Sequence, residues 1–187
     1  MFEGKKLICP LSGKTKFENL FTIKKFPIYM GVVNKNHKSE FKDLNFKINR
    51  TTGTVQIFPR IPLKKLYFKS HQSGKVGNVW KTHHYNFFKL LKKYFKGNVV
   101  EIGGGHNPLS KNQAYLKMKS PKTYFTIDPN GKHSKHKNHK LIKNFFDESI
   151  IKKIGDNKDL IFHSHLFEHL YDPNIFLRSI YNLLKNR

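Results

Sequence analysis

Cysteine is all but missing: Cys9 stands alone among 187 residues. A lone thiol excludes an internal disulfide framework and any metal site built from a cysteine cluster. Acidic residues are scarce too, 12 against 36 Lys and Arg, for a formal charge of +24. A surface this basic favours polyanions through counterion release, which opens a nucleic-acid reading. Arginine is itself scarce, however, with Arg50, Arg60, Arg178 and Arg187 the only four. Its planar fork is what suits phosphates and base edges. Lysines run the whole length among Asn, Phe and Ile, a pattern of AT-rich coding and solvated surface that ranks nucleic acid below a small-molecule partner. No apolar run approaches the ~20 residues of a membrane span, and Met1-Phe2-Glu3-Gly4-Lys5-Lys6 lacks the apolar core of a signal peptide. These absences predict a cytoplasmic protein with no membrane partner; nothing in them bears on oligomeric state.

Core-forming residues are plentiful. Hydrophobic residues make up 37% and aromatics 14%, with 17 Phe, too many for a disordered chain. The length suits one core, or a small module beside a larger one. Residues 1–60 carry short β-prone runs, Lys5 to Ile8, Phe17 to Ile23, Phe41 to Ile48 and Gly53 to Phe58, and predict a small β-rich module. Its opening Cys9-Pro10-Leu11-Ser12-Gly13-Lys14 looks like half a zinc knuckle, with Ser12 where a second cysteine would stand and no cysteine pair downstream. No metal is expected, and Cys9 reads as a small buried residue. Residues 61–77, with Pro59 just before and Pro62 and Ser70 to Gly77 within, predict a linker without regular helix.

From Asn78 to Phe95 the residues Trp80, His84, Phe87, Phe88, Leu91 and Phe95 recur at helical steps, and Gly97 stops the helix. The histidines His83 and His84 are within reach of a substrate in one reading, but read first as structural. Asn98-Val99-Val100-Glu101-Ile102 is then a buried strand that empties into Gly103, Gly104 and Gly105. Glycines there let backbone approach a ligand, and Glu101 is placed to receive a donor. A dinucleotide fingerprint fits poorly, since its third glycine would fall at Pro108.

Ser110 to Lys119 reads as a short helix, and Thr123 to Asp128 as a strand ending on an acid. Such a carboxylate holds a ribose diol in doubly wound sheets; alternatively Asp128 merely starts the turn Asp128-Pro129-Asn130-Gly131. His133, His136 and His139 fall in a polar stretch that reads as a solvated loop rather than a metal site. Leu141-Ile142 begins a third strand; after it Phe145 or Phe146 would flank an adenine and Asn144 or Asp147 bond its edge, or both phenylalanines are core. Leu160 to His163 is a buried strand with Ser164, His165, Glu168 and His169 clustered past its carboxyl end. If a helical turn starts there, His165 and His169 share a face and Glu168 points elsewhere. Asn174 to Lys185 closes as an amphipathic helix.

The Glu-x-Gly-x-Gly pattern, the acid-tipped second strand and Ser-His-Leu-Phe-Glu-His-Leu-Tyr-Asp-Pro, taken in this order, resemble a class I S-adenosylmethionine-dependent methyltransferase. Within it the chain is most similar to sugar C-methyltransferases with a small N-terminal zinc-binding module, over about residues 60 to 187. The resemblance implies a Rossmann-like sheet with helices on both faces over residues 78–187. It implies S-adenosylmethionine as cofactor, with Glu101, Gly103, Gly104 and Gly105 at its methionine end. It further implies Asp128 on the ribose, Asn144 and Phe145 by the adenine, and Ser164 and His165 by the sulfonium. His169 stands at the substrate pocket as the candidate catalytic residue, and the acceptor is a small molecule such as a nucleotide-linked sugar. Two departures go with it. The zinc cysteines are missing, and the chain stops at Arg187 before the further strands and general base of the family, so an incomplete sheet with the Leu160 strand at its edge is expected.

Overall fold

A computed structural model describes residues 6–29, 31, 33–69, 77–104, 121–133 and 138–184. The chain divides into two compact units, one of residues 1–71 with 171–174, the other of 72–170 with 175–187.

The first unit is a three-stranded antiparallel sheet, β1 (Glu18–Pro27), β2 (Phe41–Asn49) and β3 (Thr54–Ile57), with β2 in the centre. Phe21 pairs with Phe46 and Ile23 with Leu44, so one face is apolar, while Thr22 and Asn45 bond on the other. The run expected as a strand from Lys5 to Ile8 is not one over its described residues; Leu7 is nevertheless buried, as are Cys9, Ile28, Leu44 and Leu63 of the same unit. The expected linker also contains one helical turn, α1 (Leu63–Leu66), where no regular helix was expected. Pro62 precedes it with φ at −55°, suited to a helix start, and burial of Leu63 anchors it.

Two turns of this unit share one build. Cys9-Pro-Leu-Ser12-Gly13 and Asn49-Arg-Thr-Thr52-Gly53 each end on a glycine in left-handed backbone, φ 68° and 71°. Each glycine N–H reaches back four residues at 2.8 Å, to Cys9 and to Asn49. The turns meet: Cys9 Sγ lies 3.2 Å from Thr52 Oγ1, and buried Asn49 accepts from the Thr52 N–H at 3.1 Å. Hydrogen bonds thus tie together four positions spaced as two knuckles are.

The second unit is α/β. Its four strands, β4 (Asn98–Ile102), β5 (Thr123–Ile127), β6 (His139–Ile142) and β7 (Leu160–His163), are parallel in the order β6-β5-β4-β7, compatible with a Rossmann-like arrangement. Period-two alternation divides the strand residues between two cores. Val99, Tyr124 and Phe162 pack with Phe88 and Leu91 of α2 (Asn78–Lys92). Val100, Ile102 and Ile127 pack with Ile150 and Ile154 of α3 (Glu148–Ile154) and with Phe176 and Leu183 of α4 (Pro173–Leu184). Among the described residues, strand β7 lies at one edge of this order and β6 at the other.

Two local expectations change, and one helix appears that the sequence left unmarked. Helix α2 ends at Lys92, short of Phe95, although Phe95 still joins its core. Strand β6 starts at His139, not Leu141, because its pairing with β5 begins at the His139–Tyr124 register and takes His139 out of the loop. Helix α3 occupies the segment after the expected adenine-binding residues, and Asp147 caps it, accepting from the Ile150 N–H at 3.1 Å. The segments expected as the helix Ser110 to Lys119 and as Ser70 to Val76 lie outside the described residues, as do Gly105 and His136. No helix among the described residues is long and apolar enough to cross a membrane.

Candidate functional site

Glu101 is the penultimate residue of β4, on the α2 side of the sheet, and only 4% exposed. The Tyr124 hydroxyl donates to its Oε2, and the Thr126 hydroxyl donates to the same oxygen at 3.2 Å. Both donors come from β5, whose register sets Thr126 directly beside Glu101. Among the described residues no Lys, Arg or His forms an ion pair with this carboxylate, and burial pushes its pKa up to about 7. The two hydroxyls pull it down, and the charge of Asp128 adds to the rise.

The glycine turn is shaped around this acid. Gly103 has a φ of 79° and its N–H bonds Ile127 O across the strands at 2.9 Å, a conformation that favours glycine. At Gly104 an added Cβ would overlap the Glu101 carboxyl group, 2.7 Å from Oε2. The space freed by Gly104 is therefore filled by the protein's own carboxylate.

Asp128 follows β5, next to Glu101 in the electrostatic sense that its charge opposes ionisation there. Its Oδ1 accepts from the Asn130 N–H at 2.6 Å, and its carbonyl accepts from Gly131 at 3.2 Å, so it does organise the turn that the sequence offered as its other role. Of the adenine candidates, the exposed Asn144 accepts from the Phe145 N–H at 2.8 Å, and Phe145 is half-buried. Phe146 is core, 5.6 Å from the Phe176 ring, and Asp147 serves as the helix cap.

A second cluster forms past the carboxyl end of β7. Ser164 Oγ lies 2.9 Å from His83 Nε2 of α2. The His165 ring, on backbone with φ of 50°, stands 4.6 Å from Trp80 and 4.8 Å from His83. Burial, and secondly His165, hold the His83 imidazole below its ordinary pKa, which keeps it neutral at pH 7. Glu168 does not point away as expected: its Oε1 lies 3.7 Å from His165 and 4.0 Å from His169. The reason is local, a tight 3-10 turn at Phe167–His169 in place of an α-helical one starting at His165.

The structure thus sets the Asp128 charge near enough to act on Glu101, and brings Ser164 and His165 to one residue, His83. It adds Tyr124, Thr126 and His139, which the sequence did not mark for these sites, and Trp80 and His83, of which the sequence offers only His83 for a substrate-facing role, behind a structural one. Strand alternation could have shown that Tyr124 and Thr126 share a face, but only the β4–β5 register brings that face to Glu101. Among the described residues no group of three His, Cys, Asp or Glu is placed to hold a metal ion. No protein-family model matches the sequence, and no curated protein matches it.

Proposed function

We propose that the second unit is the nucleoside-binding part of an S-adenosylmethionine-dependent methyltransferase acting on a small-molecule acceptor. The observation that carries this reading is the pairing of Glu101, a buried acid without a cationic partner among the described residues, with Asp128 at the tip of the adjoining strand. A buried carboxylate is stabilised most by a cation that replaces the lost water, and the ammonium of a methionine end is such a cation. The residues fit the cofactor at this end. Glu101 would take the ammonium, the Gly103–Gly104 backbone would lie against it, and Asp128 would face the ribose hydroxyls at the carboxyl edge of the sheet. When bound, the cofactor supplies an electrophilic methyl group on a sulfonium. The chain's part is to orient it and to hold the acceptor in line.

The His83, His165 and His169 imidazoles and the Ser164 hydroxyl would stand beside that edge, with His169 as the candidate to meet the acceptor. In the sugar C-methyltransferase reading the acceptor is a carbon of a nucleotide-linked sugar. S-adenosylhomocysteine at 100 times its dissociation constant should stabilise the full chain by about 2.7 kcal/mol in a thermal melt, with NAD silent. Glu101→Ala should abolish the shift. An unchanged melting temperature, together with no calorimetric heat, would overturn the proposal.

A further inference from the structure

Glu101 belongs to a hydrogen-bond chain that leads out through the sheet. Its Oε2 accepts from Thr126 Oγ1, which is fully buried, and Thr126 Oγ1 lies 2.9 Å from His139 Nε2. His139 is half-buried on the outermost strand, its ring 4.9 Å from Tyr124 and 6.0 Å from the exposed His133. A carboxyl, a hydroxyl and an imidazole therefore connect the buried acid to a side chain that solvent reaches.

A threonine hydroxyl has one proton and must point it one way. With Glu101 ionised, Thr126 donates to Oε2 and accepts from His139 Nε2–H. With Glu101 protonated, its Oε2–H donates to Thr126, which then donates to a bare His139 Nε2. The two charge states of the acid correspond to two directions of one chain.

From this geometry we infer that Thr126 and His139 are positioning residues that carry the Glu101 proton out of the sheet when an ammonium ligand arrives. Ligand uptake is then coupled to proton release. The inference rests on the ammonium-binding reading of Glu101 given above. In the transfer, the Glu101 O–H bond breaks as a new O–H forms at Thr126, while the original Thr126 O–H breaks as N–H forms at His139 Nε2. The imidazolium then loses its Nδ1 proton to solvent, leaving carboxylate against ammonium.

Among the described residues, the other groups placed by Glu101 are Tyr124 from β5, Asp128 just past it, Phe162 beside it in the β4–β7 register and Gly104 against its carboxyl group; Phe88 and Leu91 of α2, packed with Tyr124 and Phe162 on the same side of the sheet, are apolar. Of these only Asp128 carries a charge at neutral pH, and it favours the protonated acid.

Carbon-13 NMR of the full chain without ligand tests the proton chain. The Glu101 carboxyl should titrate with a midpoint of about 7, and the His139 ring carbons should show the same inflection. Thr126→Val should raise the Glu101 midpoint by about one pH unit, and Thr126→Ser should restore it. A Glu101 midpoint in the ordinary carboxylate range, a silent His139, or a midpoint untouched by Thr126→Val would overturn the inference. Calorimetric titration with S-adenosylhomocysteine in buffers of different ionisation heat tests the coupling. About one proton should leave per ligand at pH 6 and close to none at pH 8.5. Binding at pH 6 without proton release overturns the inference and leaves ammonium binding standing. Absence of binding at every pH overturns the ammonium reading, and the NMR titration still decides the proton chain.

Discussion

Gly104 and Glu101 are a single packing decision written at two positions. A methyl group at 104 meets the carboxyl group, which is walled in by Tyr124 and Thr126 and has nowhere to retreat. Gly104→Ala should therefore destabilise the chain by about 1–3 kcal/mol, and Glu101→Ala in the same molecule should recover part of that loss. Denaturant melts of the two single variants and the double variant measure the coupling; additive losses would show that the glycine serves something else. Glu101 also imposes a pH slope. Its folded pKa lies above the ordinary carboxylate value, so its contribution to stability is greatest below about 4.5 and is lost as pH rises through about 7. Each pH unit within that window costs at most about 1.4 kcal/mol. Glu101→Gln should melt higher than the parent at pH 8 and show a flatter profile between pH 5 and 8.

Among the elements, α3 shows how local chemistry places a helix that periodicity alone leaves unmarked. Seven residues are too few for a clear apolar stripe, yet Asp147 caps the start and Gly155, with a φ of 69°, closes the end. Burial raises the pKa of Asp147, but bonds from Ser149 and from the Ile150 N–H outweigh it and hold the carboxyl below its ordinary value. The cap is thus present above the ordinary aspartate range and lost as pH falls through its lowered value. Asp147→Ala should cost about 1 kcal/mol at pH 7 and less near pH 3, read from thermal melts at the two pH values.

The twin turns of the first unit make a second prediction at this scale. Cys9, Ser12, Asn49 and Thr52 hold knuckle spacing in two turns tied together by hydrogen bonds. A Ser12→Cys, Asn49→Cys, Thr52→Cys variant should take up cobalt with the visible absorption of a tetrahedral thiolate site, whereas the parent should remain colourless. Searching the sequence for cysteines found only the first turn, since Asn49 and Thr52 carry the spacing without the ligand chemistry.

Across the whole molecule the charge of +24 acts without reference to any one site. Any polyanion affinity it produces should fall linearly on a log–log plot against salt and survive Glu101→Ala. Fluorescence anisotropy with a labelled single-stranded RNA between about 50 and 200 mM salt, over which the Debye length roughly halves, measures this. A salt-resistant, sequence-selective complex would instead point to a dedicated surface, for which the exposed Phe21, stacked 4.5 Å from Phe46, is the first aromatic to test.

What the amino-acid order determined by itself is whatever depends on neighbours along the chain. The β-branched run of β4, the glycines that end it, the acid near its tip and the stripe of α2 were all legible in the sequence. Only tertiary structure decided what the strand register controls. It set Thr126 beside Glu101, drew His139 out of a supposed loop into β6, folded Gly104 over the carboxylate and brought His83 to Ser164 from 81 residues away. The physical reason is that a side chain's charge state and its partners depend on how completely water is excluded around it. That exclusion comes from strands and helices distant in sequence, which no local pattern encodes.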